Sequence, residues 1–187
     1  MLSPTLSPLL DLQEASAAAQ GGLHELKGFV ALDQGASNPN WCWATVAAMV
    51  YQHYSNQALT PCEWATICIG DPKIPHQCCL DPGICDHTYS ILSALRGMLA
   101  AVSGAPLGAD AIKAEIDALP GRPIVCVQRA AAHVVVIYGI DEPAPGQAYV
   151  LSVDPAGGFH SKTEIQEFTT RTDAGWSATV LTKPGGP

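Results

Sequence analysis

The sequence predicts an α+β domain of two segregated halves, a helical one first and an antiparallel sheet second. The hydrophobic period changes once along the chain, near Pro120, from helical spacing to short β-branched runs. The first half carries helix start and stop signals, and the second carries runs bounded by Gly, Pro or Asp. With 187 residues, 48% hydrophobic and 14% charged, the chain can fill one core and falls in the composition range of a globular domain. Helices followed by strands, without alternation, is the order of an α+β domain, and no internal repeat is visible.

Residues 1–27 are rich in Ser, Pro, Ala and Gln and read as a loosely ordered arm with one short helix; the domain itself spans 28–187. A Gly21-Gly22 pair in such an arm reads as a linker before it reads as a processing site. "GFVALDQG" leads into the domain as a short extended segment.

Over 41–54, "WCWATVAAMVYQHY" puts Cys42, Val46, Met49, Val50 and His53 on one helical stripe. The loop "QGASNPN" precedes it, with Asn38 or Asn40 available as a cap. A second helix is signalled by a capping box, Thr60 three residues before Glu63, with Pro61 at the first helical position and Gly70 as the stop. "DPKIPHQCCLDPGICD" is loop, and Asp86 is placed to cap a third helix, "HTYSILSALRGMLAAV". "GADAIKAEIDAL" predicts a fourth, ending at Pro120. Then "RPIVCVQ", "HVVVIYGID" and "QAYVLSVDP" predict three strands of an antiparallel sheet, and "GWSATVLTK" a further one.

A net charge of −8 with nine Lys and Arg argues against nucleic acid as a partner, because neutralising phosphates needs clustered basic residues. The acidic balance also disfavours an anionic membrane or wall surface. No apolar run approaches the roughly 20 residues of a membrane helix. The N-terminus lacks the positive region and apolar core of a signal peptide. The expectation is a soluble chain without membrane contact, cytoplasmic or exported by a route that uses no standard signal.

The seven cysteines are Cys42, Cys62, Cys68, Cys78, Cys79, Cys85 and Cys126. Their odd number leaves at least one thiol unpaired. His76, Cys78, Cys79, Cys85 and His87 supply enough donors for zinc, but their spacing lacks the paired C-x₂₋₄-C pattern, so no metal site is expected. Disulfides from Cys62 or Cys68 to the 78–85 loop fit better and would staple that loop to the second helix. The six cysteines other than Cys42 allow 15 connectivities, which the sequence leaves open. Cys126, inside an apolar strand, reads as buried and unpaired.

Cys42 stands where a helix begins, and N–H groups and the helix dipole there favour a thiolate. Taken alone it reads first as a buried structural thiol. His133 opens the most apolar strand, a position that suits a general base aimed across a cleft. Asp154 ends the next strand, and if the two strands form a hairpin it can stand beside His133 and orient the ring. Gln34 can offer its amide, with the Cys42 N–H, to a developing oxyanion. Trp43 reads as core, Trp41 as a candidate wall of the substrate cleft, and His160 as a solvated loop histidine.

These residues and their surroundings, "QGASNPNWCWATVAAMVYQHY", "HVVVIYG" and "VLSVDP", resemble the papain-like cysteine peptidases, in particular the bacterial effector-type and bacteriocin-leader-processing-like branch. The order Gln34, Cys42, His133, Asp154 and the context of each match over roughly residues 28–182. Gln34 stands eight residues before Cys42, farther than is usual, and Asp stands where papain has Asn. The resemblance implies a fold in which the central helix carrying the nucleophile packs on the sheet half. It implies a Cys42 thiolate attacking a carbonyl, His133 protonating the leaving amine and Asp154 orienting His133. No cofactor is implied. The implied partner is a protein or peptide substrate, with a cognate inhibitor or immunity protein as a candidate second partner of an exported effector or toxin. The same residues also suit a peptidoglycan amidase, a transglutaminase-like acyl transferase, or an inactive binding module.

Overall fold

The computed structural model describes residues 22–36, 38–128, 132–170 and 175–186. At its centre is helix α1 (Cys42–Ser55), buried at every residue from Cys42 to Val50. The predicted stripe is therefore only part of its apolar surface. Helix α2 (Pro61–Ile69) begins with the predicted capping box: the Thr60 hydroxyl accepts from the Glu63 N–H at 3.3 Å, and the Glu63 carboxylate accepts from the Thr60 N–H at 2.8 Å. That backbone bond, with the Thr60 hydroxyl, lowers the Glu63 pKa. Gly70 ends the helix by close approach, because a Cβ there would lie 2.6 Å from the Thr66 carbonyl oxygen.

Short helices α3 (Gln77–Leu80), α4 (Pro82–Cys85) and α5 (Ile91–Ala94) follow, then a 3₁₀ turn at Arg96–Met98. The third helix expected over 87–102 is thus only one turn long. Its last four residues belong to strand β2 (Leu99–Ser103), which pairs with β7 (Trp176–Thr182). A ladder with a strand nearly 80 residues downstream overrides the local helical pattern. Helix α6 (Ala109–Ile116) stands where the fourth helix was expected.

Strands β3 (Ile124–Gln128), β4 (His133–Ala144) and β5 (Gln147–Asp154) match the three predicted runs. β6 (Phe159–Glu164) and helix α7 (Ile165–Thr170) complete the chain order before β7. The sheet is antiparallel throughout, in the order β2-β7-β3-β4-β5-β6. The architecture is α+β with a large antiparallel sheet, and α1 and α6 contact β4. Trp43, Trp64, Met49, Leu95 and Ile137 are fully or almost fully buried in this core. Each contributes about 1.5–3 kcal/mol of burial.

A seventh strand, β1 (Leu23–Glu25), pairs with β4, although these residues were expected in the N-terminal arm. Leu26 enters the core with 6% exposure, its N–H donates to the Tyr138 carbonyl at 2.8 Å, and His24 pairs with Asp117 at 2.9 Å. Gly139 makes room for the pairing, since a Cβ there would stand 2.7 Å from the His24 carbonyl oxygen. The rest of the arm, with Gly21, lies outside the described residues. Among those residues no helix is long and apolar enough to cross a membrane.

Two disulfides, Cys62–Cys79 and Cys78–Cys85, tie α2, α3 and α4 together. They use three of the thiols that a zinc site in this loop would need. Cys42, Cys68 and Cys126 remain free.

Candidate active site

Cys42 is the first residue of α1 and is 8% exposed. Neither Asn38 nor Asn40 caps the helix. Trp41 occupies the cap position with no side-chain capping bond, and its carbonyl accepts both the N–H and the hydroxyl of Thr45 at 2.9 Å. The first turn is held from outside instead. The Asn40 N–H donates to Asp86 Oδ1 at 3.0 Å, and its side-chain amide reaches the Asp86 carbonyl at 3.4 Å. The indole N–H groups of Trp41 and Trp43 donate to the carbonyls of Cys85 (2.9 Å) and His87 (3.0 Å). Four bonds thus clamp residues 40–43 onto the 85–87 turn, which the Cys78–Cys85 bridge closes. Asp86, expected to cap a third helix, is spent on this clamp.

Trp41 does not line the cleft as expected. Its side chain is 2% exposed and its one polar atom is committed to Cys85. The groove beside Cys42 is walled by Asn40, Trp43, Tyr89, Ile91, Val127, His133 and Val134. Trp43 borders it while its ring packs on Tyr89 at 4.9 Å between centroids.

The hairpin condition for His133 and Asp154 is met. β4 and β5 are neighbours with Val136 opposite Val153, and this register sets His133 near the end of β5. His133 Nε2 lies 2.8 Å from Asp154 Oδ1, which also accepts the Ala156 N–H at 2.8 Å. With Nε2 engaged, Nδ1 is the ring atom left for the Cys42 thiol, which lines the same groove. Burial disfavours the charged ring, but Asp154 and Cys42 outweigh it and push the His133 pKa up to about 9. For Asp154, burial acts upward, yet the bonds from His133 and the Ala156 N–H bring its pKa below the usual value.

Gln34 is buried at 8% exposure in an adjoining depression with Asp33, Gly35, Pro39, Ala156 and Gly157. Pro39 borders both this depression and the Cys42 groove. One amide N–H of Gln34 donates to the Pro39 carbonyl at 3.3 Å, and its Oε1 has no hydrogen-bond partner among the described residues. His160 is exposed and stands edge-on to Tyr138 at 5.2 Å, away from Cys42 and His133. Sequence reasoning missed the parts played by Asp86 and by the carbonyls of Cys85 and His87. Carbonyls leave no trace in side-chain identity.

The chain was compared with known proteins. The family model of the papain-like cysteine protease AvrRpt2 matches residues 28–173, a span that includes Gln34, Cys42, His133 and Asp154. The chain belongs to this family. A comparison with curated proteins finds no match. As an AvrRpt2-type papain-like cysteine protease, the chain has the role of a cysteine peptidase acting on protein substrates. The matched span omits β1 at one end and β7 at the other.

Proposed function

We propose that this protein hydrolyses peptide bonds through a Cys42–His133–Asp154 triad and an acyl-enzyme intermediate, in a domain of residues 28–187 extended by β1. The observation that carries the reading is the 2.8 Å bond from His133 to Asp154, on a ring that lines the same groove as the thiol at the start of α1. The contact between α1, which begins at Cys42, and β4, which begins at His133, supports it.

In the proposed cycle the Cys42 sulfur forms a bond to the substrate carbonyl carbon. The Cys42 N–H and the Gln34 amide receive the oxyanion. The His133 imidazolium protonates the leaving amine as the C–N bond breaks. The neutral ring then takes a proton from water, which attacks the thioester and releases the acid and the Cys42 thiolate, restoring the imidazolium. Asp154 keeps Nδ1 directed at sulfur throughout. Two disulfides favour an oxidising compartment and so an exported effector or toxin.

A peptide library and purified peptidoglycan, each incubated with wild type and Cys42→Ala, test the reading. Peptides are expected to be cut by wild type alone. Release of amines from peptidoglycan without peptide cleavage would make the protein an amidase, and Cys42-independent turnover would remove the triad.

The raised His133 pKa sets the pH dependence. Its pairing contributes fully below the ordinary value near 6.5 and is lost as pH rises through about 9. The profile of kcat/KM is therefore expected to fall on its basic side near 9. Asp154→Ala removes the bond that most favours the charged ring, so this limb should move to lower pH. An unmoved limb in the variant would show that Asp154 does not act on His133.

A further inference from the structure

Gln34 lies in one loop and Asp154 ends the strand before another, more than 100 residues away in sequence, and both loops meet at one exposed carboxylate. Asp33 Oδ1 accepts the Gly35 N–H at 2.9 Å, closing a local turn, and also the Gly157 N–H at 3.0 Å, 124 residues away. The Gln34 N–H donates to the Pro155 carbonyl at 2.9 Å, so two backbone-anchored bonds cross between the loops. The contact is close. Gly158 has φ +64°, and a Cβ there would lie 3.3 Å from the Leu32 carbonyl carbon.

The side chain of Gln34 does little to hold itself. It makes one 3.3 Å bond to Pro39 and leaves a buried oxygen without a partner among the described residues. Its position therefore follows its backbone, and that backbone is braced through Asp33 and Pro155. On the other side the same brace grips the 155–158 turn, whose Ala156 N–H steadies Asp154.

We propose that Asp33 is a positioning residue, coupling the oxyanion-binding Gln34 to the turn that carries Asp154; this rests on the peptidase reading above. An acceptor is needed here, not a charge. Asp33→Asn keeps an oxygen for both N–H groups, whereas Asp33→Ala removes it.

A double-mutant cycle on the full chain tests the coupling, with kcat, KM and melting temperature measured for each protein. Asp33→Ala is expected to lower kcat about 10–100-fold with KM little changed, the size expected for a misplaced catalytic group. Asp33→Asn should stay within about threefold of wild type. In a Gln34→Ala background, the Asp33→Ala effect should shrink to a few-fold, the part that still reaches Asp154 through the 155–158 turn.

An equal effect in both backgrounds, an Asn variant as impaired as the Ala variant, or a loss explained wholly by unfolding would overturn the role of Asp33. Absence of Cys42-dependent turnover in wild type would instead overturn the peptidase reading itself.

Discussion

Treated with iodoacetamide at about pH 6, wild-type protein is expected to be alkylated at Cys42 far faster than at Cys68 or Cys126, and His133→Ala should abolish that selectivity. The three free thiols differ in surroundings. Cys126 is fully buried in β3, and burial holds its pKa well above the ordinary value. Burial also raises that of Cys68, against the opposing pull of Arg96. Cys42 alone faces an imidazole whose proton persists to about pH 9, and it opens onto a groove. In His133→Ala, peptide hydrolysis should fall about 10²–10⁴-fold, the usual worth of a positioned acid–base group. The melting temperature should change little, since the ring is held at a strand end by one side-chain bond, to Asp154. Mass spectrometry of the alkylated peptides reads the result. Uniform, slow labelling of all three thiols would mean that no imidazole activates Cys42.

Loss of the two disulfides is expected to cost the fold about 5 kcal/mol, from about 2–3 kcal/mol for each of the short loops they close. The bridges span sequence separations of 17 and 7. Set against the 5–15 kcal/mol that holds a typical domain together, this is a large share. At about 2–4 °C per kcal/mol, the melting temperature should drop by about 10–20 °C in excess dithiothreitol. Activity should suffer before the fold does. The Cys78–Cys85 bridge closes the turn whose carbonyls and carboxylate receive Asn40, Trp41 and Trp43 on either side of the nucleophile. Strong reductant, which ordinarily preserves a thiol enzyme, should here lower kcat, and Cys78→Ser with Cys85→Ser should reproduce the loss without reductant. Calorimetry with and without dithiothreitol checks the first part. An unchanged melting temperature would mean that the bridges carry no stability.

The sequence by itself determined what neighbours along the chain can encode. The Thr60–Glu63 box and Pro61 start α2 through bonds made within one turn, and the β-branched runs before and after Gly139 specify β3, β4 and β5. The positions proposed for the triad, a thiol at a helix start and a histidine and an aspartate at strand ends, are placed by the same local signals. Only the tertiary structure decided what depends on distant partners. Leu99–Ser103 left its helical pattern to pair with β7, and Leu23–Glu25 left the arm to pair with β4. Trp41 turned from the cleft to the Cys85 carbonyl, and Asn40 gave up capping for Asp86. Asp33 acquired a second partner 124 residues away. A backbone N–H or carbonyl is present at nearly every residue, so composition cannot say which one a side chain will meet. Packing brings one of them within 3 Å and leaves the rest out of reach.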